Sequence, residues 1–210
     1  MATTKDKILA TALQLFNEKG SEQISTRHIA EAMGKSVGNL YYHFEDKNAI
    51  IMKLYEQLVE KLDQGFEQMQ SLEVSLEIMM QAVKFAFTTL YEYRFLMINF
   101  VHIMRSIPEL KASYQALTQV RKAQFKYTFD QLVAQQMIKE EALEIPLEYL
   151  QLQSTILGDF WISEAEILYQ GEEKDKVKYF TEMQLYNFYP HLTKAGKTVF
   201  KKAIESLFKH

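Results

Sequence analysis

Between Ser25 and Lys47 the chain reads STRHIAEAMGKSVGNLYYHFEDK, and the chemistry these residues suit is recognition rather than bond-making. Two short helices joined by a tight turn must pack closely, which needs a small residue on the first and a turn-former between them. Ala30 and Gly34 supply these, and Ile29, Met33 and Leu40 supply the apolar contacts. This is the spacing of a helix-turn-helix, whose second helix enters the major groove of DNA. On its outer side Gly38 leaves the backbone free to approach base edges, and Asn39 can donate and accept. Tyr41, Tyr42 and His43 put hydroxyl and imidazole groups at the helix end, within reach of phosphates. Lys47 opens the next helix, whose amides and dipole also favour a phosphate. Ser25, Thr26, Arg27, Lys35, Ser36 and Val37 complete the candidate DNA-facing set. Ser25 and Ser36 suit helix capping alone as well as capping with phosphate contact. Tyr41 suits a wedge between helices as well as a DNA contact. Phe44 reads as core and His28 as a solvated surface residue.

No nucleophile–base motif and no phosphate-cradling glycine loop accompanies this segment, so the chain reads as a non-enzyme. With no Cys, thiolate metal sites and disulfides are excluded. His28, His43, His102, His191 and His210 form no metal-binding pattern, so neither metal nor cofactor is expected.

The elements that must position the motif read as helices. Only 7 Gly and 3 Pro occur in 210 residues, too few for a turn-rich β architecture. Lys5–Glu18 repeats Ile8, Leu9, Ala12, Leu13 and Phe16 on one face, with Gly20 as a stop. Ser25 caps a second helix that Gly34 ends, Ser36 a third over Val37–His43, and Asp46 a long fourth. Past Gly65 and Ser71 come longer amphipathic stretches: Ser75–Tyr93, Phe95–Arg105, Glu109–Met137, Leu147–Tyr169, Glu173–Tyr189 and Thr193–Phe208. The expected fold is all-α: a three-helix head over 1–48 and a larger helical ligand-binding and dimerisation body over 49–210. A helix from about residue 47 to 70 connects them.

Net charge is -3, which does not advertise a nucleic-acid binder. Distribution matters more: from Ala32 to Phe44 there is no acid, while Lys35 is present. No stretch approaches the roughly 20 apolar residues of a membrane span. The N-terminus carries charge where a secretion signal is apolar. The chain therefore reads as soluble and cytoplasmic.

The body is rich in aromatics and Met. Phe95, Phe100, Met104, Tyr114, Phe125, Phe129 and Trp161 suit ordinary core, and as a group they also suit the lining of an apolar effector cavity. Leu150, Leu157, Gly158, Trp161 and Leu168 on one stretch, with Val177, Phe180, Gln184 and Phe188 on the next, suit a four-helix bundle between two copies or packing within one.

The apolar first helix ending in Gly20, then IAEAMG, then SVGNLYYHFEDK, resembles the TetR family of bacterial regulators over about the first fifty residues. DFWISE around Trp161 and YPHLTKAG around Pro190 are similar to one branch of that family's C-terminal domains. The resemblance implies a recognition helix over Val37–His43, with phosphate contacts from Thr26, Tyr42, His43 and Lys47. It implies a homodimer on double-stranded DNA and a small-molecule pocket in the body. Lys35 and Val37 depart from the residue types common in the family, so no base preference carries over. The expectation is a ligand-responsive transcriptional regulator, a repressor released from an inverted-repeat operator by an apolar or aromatic small molecule. Activation, and a helical small-molecule-binding protein without DNA activity, stay open alternatives.

Overall fold

The computed structural model describes residues 3–70, 73–140 and 146–209; Ser71 and His210 lie outside them. Among the described residues the chain forms eleven α-helices and no strand, with one isolated β-bridge between Ile138 and Leu192.

The head is built by its caps. Thr3 and Asp6 form a reciprocal capping box at the start of α1 (Thr4–Lys19), and Gly20, at φ 80°, ends it. Ser25 caps α2 (Thr26–Ala32). His28, though exposed, closes a second box by accepting the Ser25 N–H at Nδ1, 3.2 Å away. Gly34, at φ 63°, makes the turn that Ala or Ser would adopt only with strain. Ser36 then caps α3 (Val37–Tyr41), which ends two residues before the expected His43. Tyr42 and His43 follow in a turn in which the His43 N–H reaches the Leu40 carbonyl at 2.9 Å. Asp46 Oδ1 accepts the Ala49 N–H at 2.8 Å and so caps α4 (Lys47–Gln70).

Ile8, Leu9, Ala12, Phe16, Ile29, Ala30, Leu40 and Phe44 close the head's core against Ile50 and Leu54 of α4. That core does not stop at the head. It continues along α4 through Leu58 and Leu62 to Phe87, Trp161 and Phe180 in the body. Gly65, which reads in sequence as a change of character, lies inside α4; a Cβ there would strike the Phe85 ring. The glycine lets α4 and α5 approach closely.

The body comprises α5 (Leu76–Glu92), α6 (Arg94–Ile98), α7 (Phe100–Ser106), α8 (Pro108–Ala134), α9 (Leu147–Leu168), α10 (Lys176–Tyr186) and α11 (Lys194–Leu207). The single helix expected over Phe95–Arg105 is two, parted at Asn99, whose φ/ψ of -104°/23° leaves the helical region. The stretch expected over Glu173–Tyr189 is α10 with a 3-10 turn at each end. Pro108 stands in the first turn of α8, Pro146 at the cap of α9 and Pro190 in the turn after α10.

A second core joins α5, α8, α9, α10 and α11 through Leu76, Met80, Phe129, Leu132, Leu185, Phe188 and Phe200. α11 covers this core. Thr193 donates to the Gln136 carbonyl, and a Cβ at Gly196 would collide with the Met137 carbonyl oxygen, so only glycine admits that approach. No helix among the described residues is long and apolar enough to cross a membrane.

Candidate functional site

The head presents α3 outward. Val37 is half-buried and Leu40 buried, while Gly38 and Asn39 are exposed. A Cβ on Gly38 would find only Ser36 Oγ, 4.0 Å away, so nothing in the protein itself requires glycine there. Tyr42 is 85% exposed and Tyr41 52%, so Tyr41 is not a wedge in the core. Its hydroxyl stands 3.3 Å from Thr26 Oγ1, which joins the starts of α2 and the end of α3 in one polar edge. Tyr42 packs edge-on to His43. Ser25, Lys35 and Ser36 are exposed along the same stretch, with Ser25 and Ser36 both spent on caps. Arg27 is exposed and paired with Glu31 at 2.9 Å. Lys47 is folded back: its Nζ donates to the Ser21 carbonyl at 2.7 Å.

The head is tied to the body by contacts that periodicity does not reveal. Asn17 Nδ2 donates to the Glu92 carbonyl at 2.7 Å, and Asn17 Oδ1 accepts the Phe95 N–H at 3.1 Å. The side chain thus bridges α1 to the α5–α6 junction. Phe95 seals the joint against Phe16, ring centroids 5.0 Å apart. One polar residue on an otherwise ordinary helix carries this role, and nothing in the local sequence distinguishes it from a solvated Asn.

A cavity of about 280 Å³ lies between α4, α5, α8 and α10, with Ser154 of α9 also on its wall. Phe125 and Phe129 of the candidate set line it, together with Phe66, Ile78, Met79, Val83 and Phe188. The other expected lining residues are elsewhere. Phe95 belongs to the head–body joint, and Phe100 packs edge-on against Tyr114 and Phe160. Met104 packs on the first core. Trp161 is the centre of an aromatic stack with Phe87 and Phe180, at 5.3 and 5.2 Å. Composition could point to a cavity but not to which aromatics face it.

Tyr114 donates to Asp159 Oδ2 at 2.5 Å in a largely buried pair. Burial pushes the Asp159 carboxyl up to about 6, with the Tyr114 hydrogen bond opposing. Burial also raises the Tyr114 phenol, and the neighbouring carboxylate adds to this.

The expected pairing stripes of α9 and α10 turn mostly inward in the protomer. Leu150, Trp161, Phe180, Gln184 and Phe188 are buried within the protomer, and Leu157, Gly158 and Val177 are half-buried. Of the set only Leu168 is exposed. At 3.6 residues per turn the free apolar faces lie about a third of a turn away. On α9 these are Tyr149, Leu152, Ile156, Phe160 and Ile167; on α10, Tyr179, Met183 and Tyr186. Both helices are apolar on two sides, so pattern alone left the outward side undetermined.

Comparison with known proteins agrees with this architecture. The family described as "Bacterial regulatory proteins, tetR family" matches residues 8–53, and TetR, "Bacterial transcriptional repressor", matches residues 55–200. The chain is 26% identical over 192 residues to the probable HTH-type transcriptional regulator YttP of Bacillus subtilis (strain 168), a span of 88% of this chain and 92% of that one. Over 56 residues it is 41% identical to IcaR, the HTH-type negative transcriptional regulator of the biofilm operon icaADBC in Staphylococcus aureus (strain Newman), covering 27% of this chain and 28% of that one. The crystal structure of a TetR-family transcriptional regulator from Marinobacter aquaeolei VT8 aligns with a TM-score of 0.85 at 26% identity, over 98% of this chain and 99% of that one. A capped, outward-facing α3 on a three-helix head, carried by α4 into a helical body, matches that relationship end to end: the chain belongs to the TetR family of ligand-responsive, DNA-binding transcriptional regulators.

Proposed function

We propose that the chain is a repressor that binds an inverted-repeat operator as a homodimer and leaves it when a small molecule fills the cavity between α4, α5, α8 and α10. The observation that carries this reading is the free surface of α3, with Gly38, Asn39, Tyr41 and Tyr42 exposed and no described residue of the body covering them. Residues 1–48 are the reading head and 49–210 the body, with α4 as the shared strut. Gly38 and Asn39 meet base edges. Thr26, Tyr42, His43 and the exposed Ser25, Lys35 and Ser36 meet phosphates, which set register rather than sequence preference. Lys47 steadies the Ser21 carbonyl from within the head and adds positive charge behind the phosphate track. Arg27 contributes once it exchanges Glu31 for a phosphate.

One head touches few base pairs, so useful specificity requires two, held roughly 34–36 Å apart to enter successive major grooves. The outward apolar faces of α9 and α10 suit that pairing, because burying Ile156, Phe160, Tyr179 and Met183 against their copies removes them from water. The effector acts only through a difference in affinity between DNA-competent and DNA-incompetent arrangements. α4 and α5 wall the cavity with Phe66 and Ile78, and both reach the head, α4 directly and α5 through Asn17. A shift of either helix therefore changes the spacing of the two α3 helices.

Mobility-shift titration of the full chain against DNA flanking its own coding region tests the reading. Saturable binding that weakens steeply with salt is expected. Binding no tighter than to unrelated duplex, confirmed by genomic footprinting without discrete sites, would leave a helical small-molecule-binding protein instead.

A further inference from the structure

The cavity's polar groups are unequally satisfied, and that inequality specifies what fits. Arg121, the cation on its wall, is already engaged: it forms an ion pair with Asp63, donates to Gln124 Oε1 at 2.8 Å and lies over the Phe66 ring at 4.8 Å. Ser154 Oγ donates to the Leu150 carbonyl at 2.9 Å, and Ser75 Oγ caps α5 by accepting the Ile78 N–H at 3.2 Å. Gln184 differs. It is 5% exposed and lines the cavity from the inner face of α10, and its Oε1 is buried without a hydrogen-bond partner among the described residues. A buried acceptor left unpaired costs stability, which a ligand supplying the missing donor recovers.

Resting on the reading of this cavity as the effector site, we infer that the effector is an uncharged, largely apolar molecule carrying one hydroxyl or amide N–H, which it donates to Gln184. Carboxylate ligands bring no donor at neutral pH, so they leave Gln184 Oε1 unpaired while giving up their own hydration to a largely apolar wall. An ammonium brings a charge to a largely apolar wall whose one ionised side chain is a guanidinium of the same sign. A purely apolar molecule fills the cavity but leaves Gln184 Oε1 as it is.

The test is calorimetric titration of the full chain with a series matched in length: 1-octanol, octanamide, octanoate, octylammonium and an octyl methyl ether that lacks a donor. Octanol and octanamide are expected to bind at least about tenfold tighter than the other three, the equivalent of about 1.4 kcal/mol. In Gln184→Leu the alcohol falls to the affinity of the ether, while the ether is unchanged. Equal affinity of alcohol and ether in the wild-type chain, tighter binding of octanoate or octylammonium, or no binding by any of the five overturns the inference. If Gln184→Leu does not fold, the wild-type series still decides. Alcohol that binds as expected but fails to loosen operator DNA in a mobility shift refutes the effector role and leaves the assignment of Gln184 standing.

Discussion

Replacing Gly38 by alanine separates what the protein needs from what DNA needs. The added methyl group enters open space, with Ser36 Oγ as its nearest neighbour at 4.0 Å, an ordinary van der Waals distance. Gly38 does not have a positive φ, since among the described residues only Gly20, Gly34 and Gln136 do. Alanine in α3 should therefore stabilise the folded chain by about 0.5–1 kcal/mol through the lower entropy of its unfolded state. For a chain of this size that raises Tm by roughly 1–4 °C. If α3 lies against base edges with its backbone close, the same methyl group has nowhere to go on the DNA side. Operator affinity should then drop at least about tenfold, or about 1.4 kcal/mol. Differential scanning calorimetry and fluorescence anisotropy with labelled operator read the two effects on one sample. Operator affinity equal to wild type in a variant of normal or raised Tm would refute the placement of Gly38 at the groove. A lowered Tm would refute the account of the free space around it.

Three further outcomes follow from the geometry. Ile156→Arg puts a charge on the outward apolar face of α9, where the side chain is half exposed in its own protomer, and sedimentation velocity should show a shift from dimer to monomer with an unchanged circular-dichroism spectrum. An unchanged dimer would place the pairing surface elsewhere. Asp159, held near 6 against an ordinary value of 3.8, lends stability that is fully present below about pH 4 and is lost as pH rises through about 6, on the order of 3 kcal/mol. Asp159→Asn should therefore exceed wild type in urea melts at pH 8 and converge with it near pH 4; an identical difference at both values would show that burial does not raise this carboxyl. Asn17→Ala removes both hydrogen bonds between α1 and the α5–α6 junction, and should reduce ligand-induced release from operator several-fold while leaving ligand binding intact. Undiminished release, measured by anisotropy with ligand at saturation, would exclude this joint as the route.

The head was legible residue by residue because its determinants are local. Ser25, Ser36, Asp46, Gly20 and Gly34 act within four positions of themselves, through a cap or a left-handed turn, and each acts as the sequence predicts. The all-α class and most helix spans were legible for the same reason. The break at Asn99 was not, because the chain there is held by Phe95 packing on Phe16 of the head, a contact its own periodicity does not reveal.

Orientation of the body's helices was beyond the sequence. Where a helix carries apolar side chains on two faces, as α9 and α10 do, burial is decided by which face meets α5 and α8, through contacts such as Tyr114–Asp159 and Phe87–Trp161 between residues far apart in the chain. Tertiary packing thus turned Trp161, Phe180 and Gln184 inward and left Ile156, Phe160 and Tyr179 free. It also gathered the cavity from five helices, keeping Phe125 and Phe129 on its wall and sending Phe95 and Trp161 to other tasks. Sequence specifies which groups can cap, turn or be buried; only the folded chain decides what each of them faces, because that depends on neighbours brought together by the whole core.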